Sequence, residues 1–253
     1  MIQLKNAQEL AKMRRACQIS AEALKLGGRS IEAGMTTADL DKIIYDYIKR
    51  HGARPNFKGL YGFPGTACIS INDEVIHGIP SHSRQIRPGD IVSIDTGAAI
   101  NGFNGDNACT FPCGKVDIEA QRLMDVTKKS LHRGIAAAVA GNRVGDIGHA
   151  VQSYVEENGF SVVRSFVGHG VGKELHEDPE VPNYGHAGHG VRLVNGMTIA
   201  IEPMVNQKHH SVKTLSDGWT VVTADGGLAA HFEHSIAILP GGPEILTIGW
   251  EEP

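Results

Sequence analysis

The chain has 253 residues, which fits one large domain or two small ones, and its 41% hydrophobic and 21% charged residues exclude a disordered chain. A formal net charge of -4 argues against nucleic acid as the main partner, because phosphate binding needs a basic surface. The sequence has no long apolar run and no signal-peptide pattern, and it has only four cysteines, so we expect a protein of the reducing cytoplasm without a membrane span.

The elements predicted from apolar spacing follow one plan twice, two helices and then antiparallel strands, which predicts an α+β fold. The first helix is expected to close at Gly27-Gly28 and the second to be capped by Thr37 and to end at Gly52. The predicted helices cover 7–26, the segment from Thr37 to Gly52, about 117–140, and 144–158. The predicted strands are 67–71, 90–100, 103–111, 161–167, 198–205, 219–223 and 231–239.

The chain resembles itself at a constant offset of 107 residues over more than sixty residues. Asp39 aligns with Asp146 and Asp95 with Glu202, and pairs of turn glycines match as well. We interpret this as an internal duplication with a pseudo-twofold axis rather than as a solenoid repeat. Because no Pro- or Ser-rich linker separates the halves, we expect one shared sheet, with a site where the halves meet. The predicted halves are approximately 1–112 and 113–253 of a single domain, 1–253.

Asn101-Gly102 is the strongest hairpin signal in the sequence. If these two residues form the loop, Asp95 faces Ala108 and Asp106 faces Gly97, so both aspartates share one face of the hairpin as diagonal neighbours. The rest of that face is small, and the opposite face is apolar. Two carboxylates over small residues repel each other unless a cation lies between them.

Three further residues of the second half extend this pattern. Glu202 is the counterpart of Asp95, Glu233 begins an apolar strand, and His169 lies in a glycine-bracketed loop. One acid alone is more often a turn or cap residue, so the metal interpretation depends on the whole set. Four buried carboxylates with one neutral imidazole would suit a pair of Mn²⁺, Fe²⁺, Co²⁺ or Zn²⁺ ions. Two such ions about 3.5–4 Å apart can activate a water for hydrolysis.

The five candidate ligands resemble the metal-binding set of the pita-bread metallopeptidases. Asp95 and Asp106 are separated by ten residues, and the other three lie in short motifs: His169 in Gly-His-Gly-Val-Gly, Glu202 in Ile-Glu-Pro-Met and Glu233 in Phe-Glu-His. Segments 68–80, 168–179 and 217–220 are similar to those of the type I methionine aminopeptidases, and the likeness covers essentially the whole chain. It implies a pita-bread fold, two divalent metal ions per chain, and removal of the N-terminal methionine from nascent proteins and peptides when the second residue is small.

The resemblance also implies roles for individual residues. Asp106 and Glu233 would bridge the two metals, and Glu202 would act as the general base. His77 would contact the amino-terminal region of the substrate and help to move protons. His176 would hydrogen-bond the substrate peptide and stabilise the tetrahedral centre. Without the family motifs, both histidines are more readily interpreted as satisfied loop residues.

The methionine pocket of the family corresponds to a region of this chain with several aromatic residues and one cysteine. Their polarizable side chains suit contact with the thioether of methionine. As a pattern alone, such a stretch more often belongs to an ordinary core. The implied pocket residues are Phe57, Tyr61, Phe63, Cys68, His77, His176 and Trp219.

A few positions depart from the family pattern. His231 stands where many relatives have Gln, Ser235 replaces Thr, Leu175 replaces Phe, and Gly65-Thr66 replaces a polar pair. Strand alternation places His231 on the ligand face, where it would contact a ligand or alter the metal preference. These departures bear on specificity and metal choice rather than on the reaction.

Two alternatives on the same fold remain. An X-Pro aminopeptidase or dipeptidase is disfavoured because we see no extra N-terminal domain and because Trp219 lies in Asp-Gly-Trp-Thr. A non-catalytic binding protein is disfavoured because all five ligands are present. The resemblance further implies a cytoplasmic monomer that acts on nascent chains, with contact to the ribosome left open and no nucleic-acid or membrane partner.

Overall fold

The computed structural model describes residues 1–250 of the chain. It contains four long helices, α1 to α4, in the two pairs that the sequence predicts. Their bounds are Ala7–Arg29, Thr37–Arg50, Ile118–Ala137 and Val144–Glu157. Within residues 1–250, none of these or any other helix has the length and apolar character that crossing a membrane requires.

Two helix boundaries differ from the prediction. Thr36, not Thr37, caps α2, because its hydroxyl accepts from the Asp39 backbone N–H while the Asp39 carboxylate accepts from Thr36 N–H. Helix α1 does not close at Gly27-Gly28 but continues to Arg29. Gly28 serves packing there, since a β-carbon would overlap the ring of Phe111 on the sheet beneath.

Residues 1–250 also contain fifteen strands, β1 to β15, which follow the two helix pairs. Their bounds in chain order are Arg54–Pro55, Ala67–Ile71, Glu74–Ile76, Ile91–Ile100, Phe103–Pro112, Ser161–Val162, Gly168–Gly170, Glu177–Val181, Thr198–Ile201, Met204–Asn206, Val212–Thr214, Val221–Thr223, Ala229–His231, Glu233–Leu239 and Gly242–Ile245.

The central sheet takes strands from both predicted halves. Its order is β1-β4-β5-β14-β9-β7-β8, with β2 also on β4 and β15 also on β14. Two small sheets, β13-β10-β6 and β11-β12-β3, flank it. The β4–β5 hairpin has the predicted register, with Asp95 opposite Ala108 and Asp106 opposite Gly97. The duplication itself stays a prediction.

Four predicted strands are shorter or broken in the structure. The segment 198–205 is interrupted after Ile201, because Pro203 has no N–H for a ladder and the chain passes from the central sheet to a small one. The predicted strand 231–239, which pairs with this segment, is interrupted at Phe232, because the chain there also passes between the small sheet and the central sheet. The segment 161–167 is a strand only at 161–162, and 219–223 only at 221–223, since the Asp217 side chain takes the N–H groups of 219 and 220.

The main core lies between the helices and one face of the central sheet. It contains buried residues of all four helices, such as Ile19, Leu40, Leu123 and Val151, packed with Ile94 and other strand residues. Because side chains alternate along a strand, the residues next to this apolar row point to the opposite face. That opposite face carries the acidic residues.

Candidate metal centre

Carboxylates line up across neighbouring strands of the central sheet. Cys68 pairs with Asp95, Asp95 with Ala108, and Ala108 with Glu233, so one row crosses β2, β4, β5 and β14. Asp106 lies two residues before Ala108 on β5. Residues in register or two apart share a face, so three carboxylates converge on the side of the sheet away from the core.

Glu202, directly after β9, and His169, on β7, complete the cluster. The Nε2 atom of His169 lies 3.7 Å from Asp106 Oδ2 and 3.5 Å from Glu202 Oε1. One donor atom each from Asp106, His169 and Glu233 lie within 4.8 Å of one another. The structure therefore brings all five predicted ligands to the floor of a single cleft.

His169 presents a lone pair to the carboxylates. Its Nδ1 atom lies 2.8 Å from the Gly170 carbonyl oxygen, which can only accept, so Nδ1 carries the hydrogen and Nε2 is free to bind. Burial lowers the pKa of His169 to about 4, and the ring is neutral at pH 7. His169 lies in strand β7 rather than in the predicted loop, because Gly170 lacks the β-carbon that would overlap the Asp178 carbonyl.

The cluster is electrostatically unfavourable without cations. Burial, followed by repulsion from neighbouring carboxylates, raises the pKa of Asp95, Glu202 and Glu233 well above the usual range, and burial raises that of Asp106 to about 7. The buried oxygens Asp95 Oδ1, Asp106 Oδ1 and Glu233 Oε1 have no hydrogen-bond partner. Since unpaired buried acceptors are costly, this oxygen-rich set with one imidazole fits divalent cations.

Two hydroxyl groups join the strands that carry the ligands. Ser235 Oγ donates to the Asp106 carbonyl at 2.8 Å and accepts from the Asp106 N–H at 3.3 Å. Thr110 Oγ1 donates to the His231 carbonyl at 3.0 Å and accepts from the His231 N–H at 2.8 Å. These side chains replace ladder hydrogen bonds on either side of Glu233, and they fix the backbone of the cluster. The single hydroxyl of Ser235 thus makes both bonds to the Asp106 backbone.

An apolar pocket adjoins the acidic floor in a cleft of about 680 Å³. Phe57, Phe63, Cys68 and Leu175 are buried together, with Trp219 packed against them. Tyr61 lies at the outer rim, 79% exposed. The structure thus places every predicted pocket residue in this cleft, with Tyr61 only at its edge.

His77 and His176 lie on two sides of the cleft. His77 packs edge-on against Trp219 and Phe166, and its φ of 59° is a backbone conformation that non-glycine residues rarely adopt. His176 is open to solvent at the mouth, with its ring centroid 4.5 Å from that of His169. Burial lowers the pKa of His77 to about 4. The inner side of the His176 ring is shielded by the cleft although the residue is exposed at the mouth, and this partial desolvation also lowers its pKa, so both rings are neutral at pH 7.

Sequence reasoning assigned no role to several other residues of the cleft wall. Phe166 is the clearest case, because its ring centroid lies 5.7 Å from that of His77. The only signal was an apolar residue shortly before the Gly-His-Gly motif, which does not separate a cleft wall from core. Further residues lining the cleft are Leu60, Ile76, Val167, Glu177, Asp178 and Glu180.

A buried acidic cluster with one imidazole, set under an apolar cleft on a curved sheet, defines a metal-dependent hydrolase centre. Residues 11–240 match the model of metallopeptidase family M24, and the chain belongs to that family.

Individual relatives show which group within this family the chain resembles. The chain is 55% identical over 248 residues to the methionine aminopeptidase of Clostridium perfringens (strain 13 / Type A), covering 98% of this chain and 99% of that one. The crystal structure of the methionine aminopeptidase from Thermotoga maritima is 44% identical with a TM-score of 0.96, covering 98% and 99% of the two chains. These findings confirm the pita-bread fold and the resemblance to type I methionine aminopeptidases.

A prolidase from Pyrococcus furiosus shares the fold alone. It is 22% identical with a TM-score of 0.78, and the match covers 97% of this chain but 65% of the prolidase. The comparisons therefore favour the methionine aminopeptidase interpretation over the X-Pro alternative.

Proposed function

We propose that this chain removes the N-terminal methionine from nascent proteins and peptides by hydrolysing the first peptide bond, with a preference for small second residues. The observation that carries the proposal is the five-donor cluster on the floor of an apolar cleft. An apolar pocket beside a metal-binding floor can hold one side chain while the adjoining peptide bond lies over the acids.

Two divalent ions, chosen from Co²⁺, Mn²⁺, Fe²⁺ and Zn²⁺, would neutralise the four carboxylates. Asp106 and Glu233 would be shared between the ions, and the remaining donors would come from Asp95, His169 and Glu202. The unpartnered oxygens of Asp95, Asp106 and Glu233 support this assignment. Ions bound there would polarise the peptide carbonyl and acidify a water.

Three side chains would handle protons and developing charge. Glu202, at the break between β9 and β10, would accept the proton of the attacking water. A neutral His176 would donate a hydrogen bond to the carbonyl oxygen as negative charge develops there, because its ring stands beside that of His169. His77, held between Trp219 and Phe166, would contact the substrate near its amino terminus and assist proton transfer.

Methionine selectivity would come from the pocket formed by Phe57, Phe63, Cys68, Leu175 and Trp219. Burial, with the nearby carboxylates, raises the pKa of the Cys68 thiol well above its usual range. The group therefore stays a neutral thiol that lines the pocket rather than a nucleophile. A thioether packs well against such polarizable and aromatic surfaces.

The setting of the enzyme is part of the proposal. All four cysteines are free and buried, which supports a reducing cytoplasm. We propose a cytoplasmic monomer that acts on nascent chains, with ligands drawn from both halves of an internally duplicated single domain. The last three residues of that domain, 251–253, lie outside the described residues.

The proposal is tested with purified protein that has been stripped by a chelator and reloaded with Mn²⁺ or Co²⁺. Release of methionine from Met-Ala-Ser should disappear on chelation and return with either metal. Met-Leu-Ser should be cleaved more slowly, and an Ala-Pro peptide should not be cleaved. Chelator-resistant activity would contradict the metal assignment, and preferred cleavage of the Ala-Pro peptide would contradict the substrate assignment.

His176→Ala is expected to lower kcat by about 10²–10³-fold, since one hydrogen-bond donor to the developing oxyanion is lost. Metal content should remain that of the wild type, because His176 is not among the proposed ligands. Steady-state kinetics and elemental analysis check the two expectations. His82→Ala, at an exposed position outside the cleft, is the matched control. Loss of metal in His176→Ala would show that its role is structural or ligating.

A further inference from the structure

His231 is a buried imidazole that the proposed mechanism does not use. It ends β13, is 2% exposed, and lies beside Thr110, whose hydroxyl bonds its backbone. Its side chain reaches the acidic cluster, because its Nε2 atom lies 3.8 Å from Glu202 Oε2. The residue therefore points toward the metal centre although it is not one of the five proposed ligands.

The position of His231 is fixed through its backbone. Thr110 Oγ1 donates to its carbonyl oxygen and accepts from its N–H. Ser93 Oγ lies 2.8 Å from Thr110 Oγ1, and because the Thr110 hydrogen is already used, Ser93 must donate that bond. These backbone hydrogen bonds hold His231 in place, and none of them involves its Nε2 atom.

The Nε2 atom of His231 is buried and has no hydrogen-bond partner. It lies 3.8 Å from Glu202 Oε2, while the other oxygen of the same carboxylate, Oε1, lies 3.5 Å from His169 Nε2. Glu202 therefore stands between two imidazoles, one at each oxygen. Its main chain is also fixed, since Asn183 Nδ2 donates to the Glu202 carbonyl at 2.9 Å.

We propose that His231 is a positioning residue whose Nε2–H donates to Glu202 Oε2 and so turns Oε1 toward the metal beside His169. The inference rests on the proposed function, because it gives Glu202 its orientation as ligand and base. Hydrogen bonds of catalytic groups are often long in an unloaded site and tighten when it is loaded. Such a donor to a ligating carboxylate fixes its orientation and thereby raises metal affinity.

Two variants distinguish the loss of the hydrogen-bond donor of His231 from the loss of its side-chain volume. His231→Leu removes the donor but keeps an apolar side chain of moderate size, and His231→Gln returns an amide N–H. Neither variant removes the hydrogen bonds with Thr110, because the backbone of residue 231 makes them. Should His231→Leu not fold, His231→Met serves in its place.

The test uses the metal-free protein titrated with Co²⁺, followed by visible absorption and elemental analysis, and then kcat and KM on Met-Ala-Ser. His231→Leu should bind Co²⁺ about 10–100-fold more weakly, with a changed absorption spectrum. Its kcat should fall while KM stays near that of the wild type. His231→Gln should recover most of the affinity and most of kcat.

Three results would overturn the assignment. His231→Leu with the Co²⁺ affinity and spectrum of the wild type would show that Nε2 has no role, and a Gln variant as impaired as the Leu variant would show that donation is not the cause. Loss of a whole equivalent of Co²⁺ in both variants would make Nε2 a ligand instead. Because the titration needs no substrate, it decides the role of His231 even if the wild type releases no methionine, which would refute the proposed function alone.

Discussion

Asp106→Asn is expected to lower kcat/KM by about a thousandfold or more and to reduce the number of divalent ions bound per chain. Ions held by these residues would supply on the order of several kcal/mol of transition-state stabilisation, and each 1.4 kcal/mol corresponds to about a factor of ten in rate. Asp106 lies within ion-pair distance of His169, and its Oδ1 atom is buried without a partner. An amide has nearly the same shape but lacks the charge that would hold a shared cation.

The same variant should not destabilise the metal-free protein. Burial raises the pKa of Asp106 to about 7, and this carboxylate also raises the pKa values of Asp95, Glu202 and Glu233. Removing it relieves that repulsion, so metal-free Asp106→Asn should have a free energy of unfolding equal to or above that of the metal-free wild type. Urea unfolding in chelator and elemental analysis after reloading measure the two effects.

Asp125→Asn is the matched control for this change. Asp125 is exposed on α3, where it accepts a hydrogen bond from Gln121, so its replacement should alter neither metal content nor rate. A fully active Asp106→Asn variant with the metal content of the wild type would refute the ligand assignment. A variant that loses activity because it no longer folds would refute the argument about repulsion.

The local part of the site could be predicted from the sequence because a two-residue turn fixes a register. Asn101-Gly102 set the pairing of β4 with β5, and that pairing put Asp95 and Asp106 on one face. The placement of Glu233 beside them depends on β14 pairing with β5, which are far apart in the chain. No local pattern specifies such a pairing, so only the position of Glu233 at the start of an apolar strand and the family motifs suggested it.

The errors have local causes that the sequence contained. Thr36 and Thr37 are both possible caps, and Asp39 three residues after Thr36 distinguishes them through a reciprocal hydrogen bond. Pro203 marks the break that frees Glu202 from the sheet ladder. Gly28 is different, because it signals a helix end in sequence, and only the contact with Phe111 explains why the helix continues.

The second large effect concerns a buried ion pair that holds the His176 segment. Lys5 Nζ lies 2.5 Å from Glu177 Oε2, with the two side chains 3% and 6% exposed. Lys5 also donates to the Gln3 carbonyl at 3.0 Å, and Glu177 Oε1 accepts from the Glu174 N–H at 3.2 Å. The pair therefore ties the N-terminal segment to the chain just before and after His176.

Lys5→Met should lower the free energy of unfolding by about 3–5 kcal/mol, because it leaves the Glu177 carboxylate buried without its partner. It should also lower kcat, since the residue next to His176 loses its anchor. Urea unfolding and kinetics on Met-Ala-Ser measure both. The double variant Lys5→Met with Glu177→Met should recover most of the lost stability, because replacing both members of a buried pair with apolar residues is often nearly neutral.

Lys42→Met supplies the comparison with an exposed pair. Lys42 Nζ lies 2.6 Å from Asp46, but the side chains are 72% and 47% exposed. Water solvates Asp46 when the lysine is removed, so the loss of stability should be below about 1 kcal/mol. Equal effects of Lys5→Met and Lys42→Met would mean that burial does not determine the strength of the Lys5–Glu177 pair. In that case the anchoring of the His176 segment would have to come from its backbone hydrogen bonds, such as the one from the Asn104 N–H to the Gly172 carbonyl.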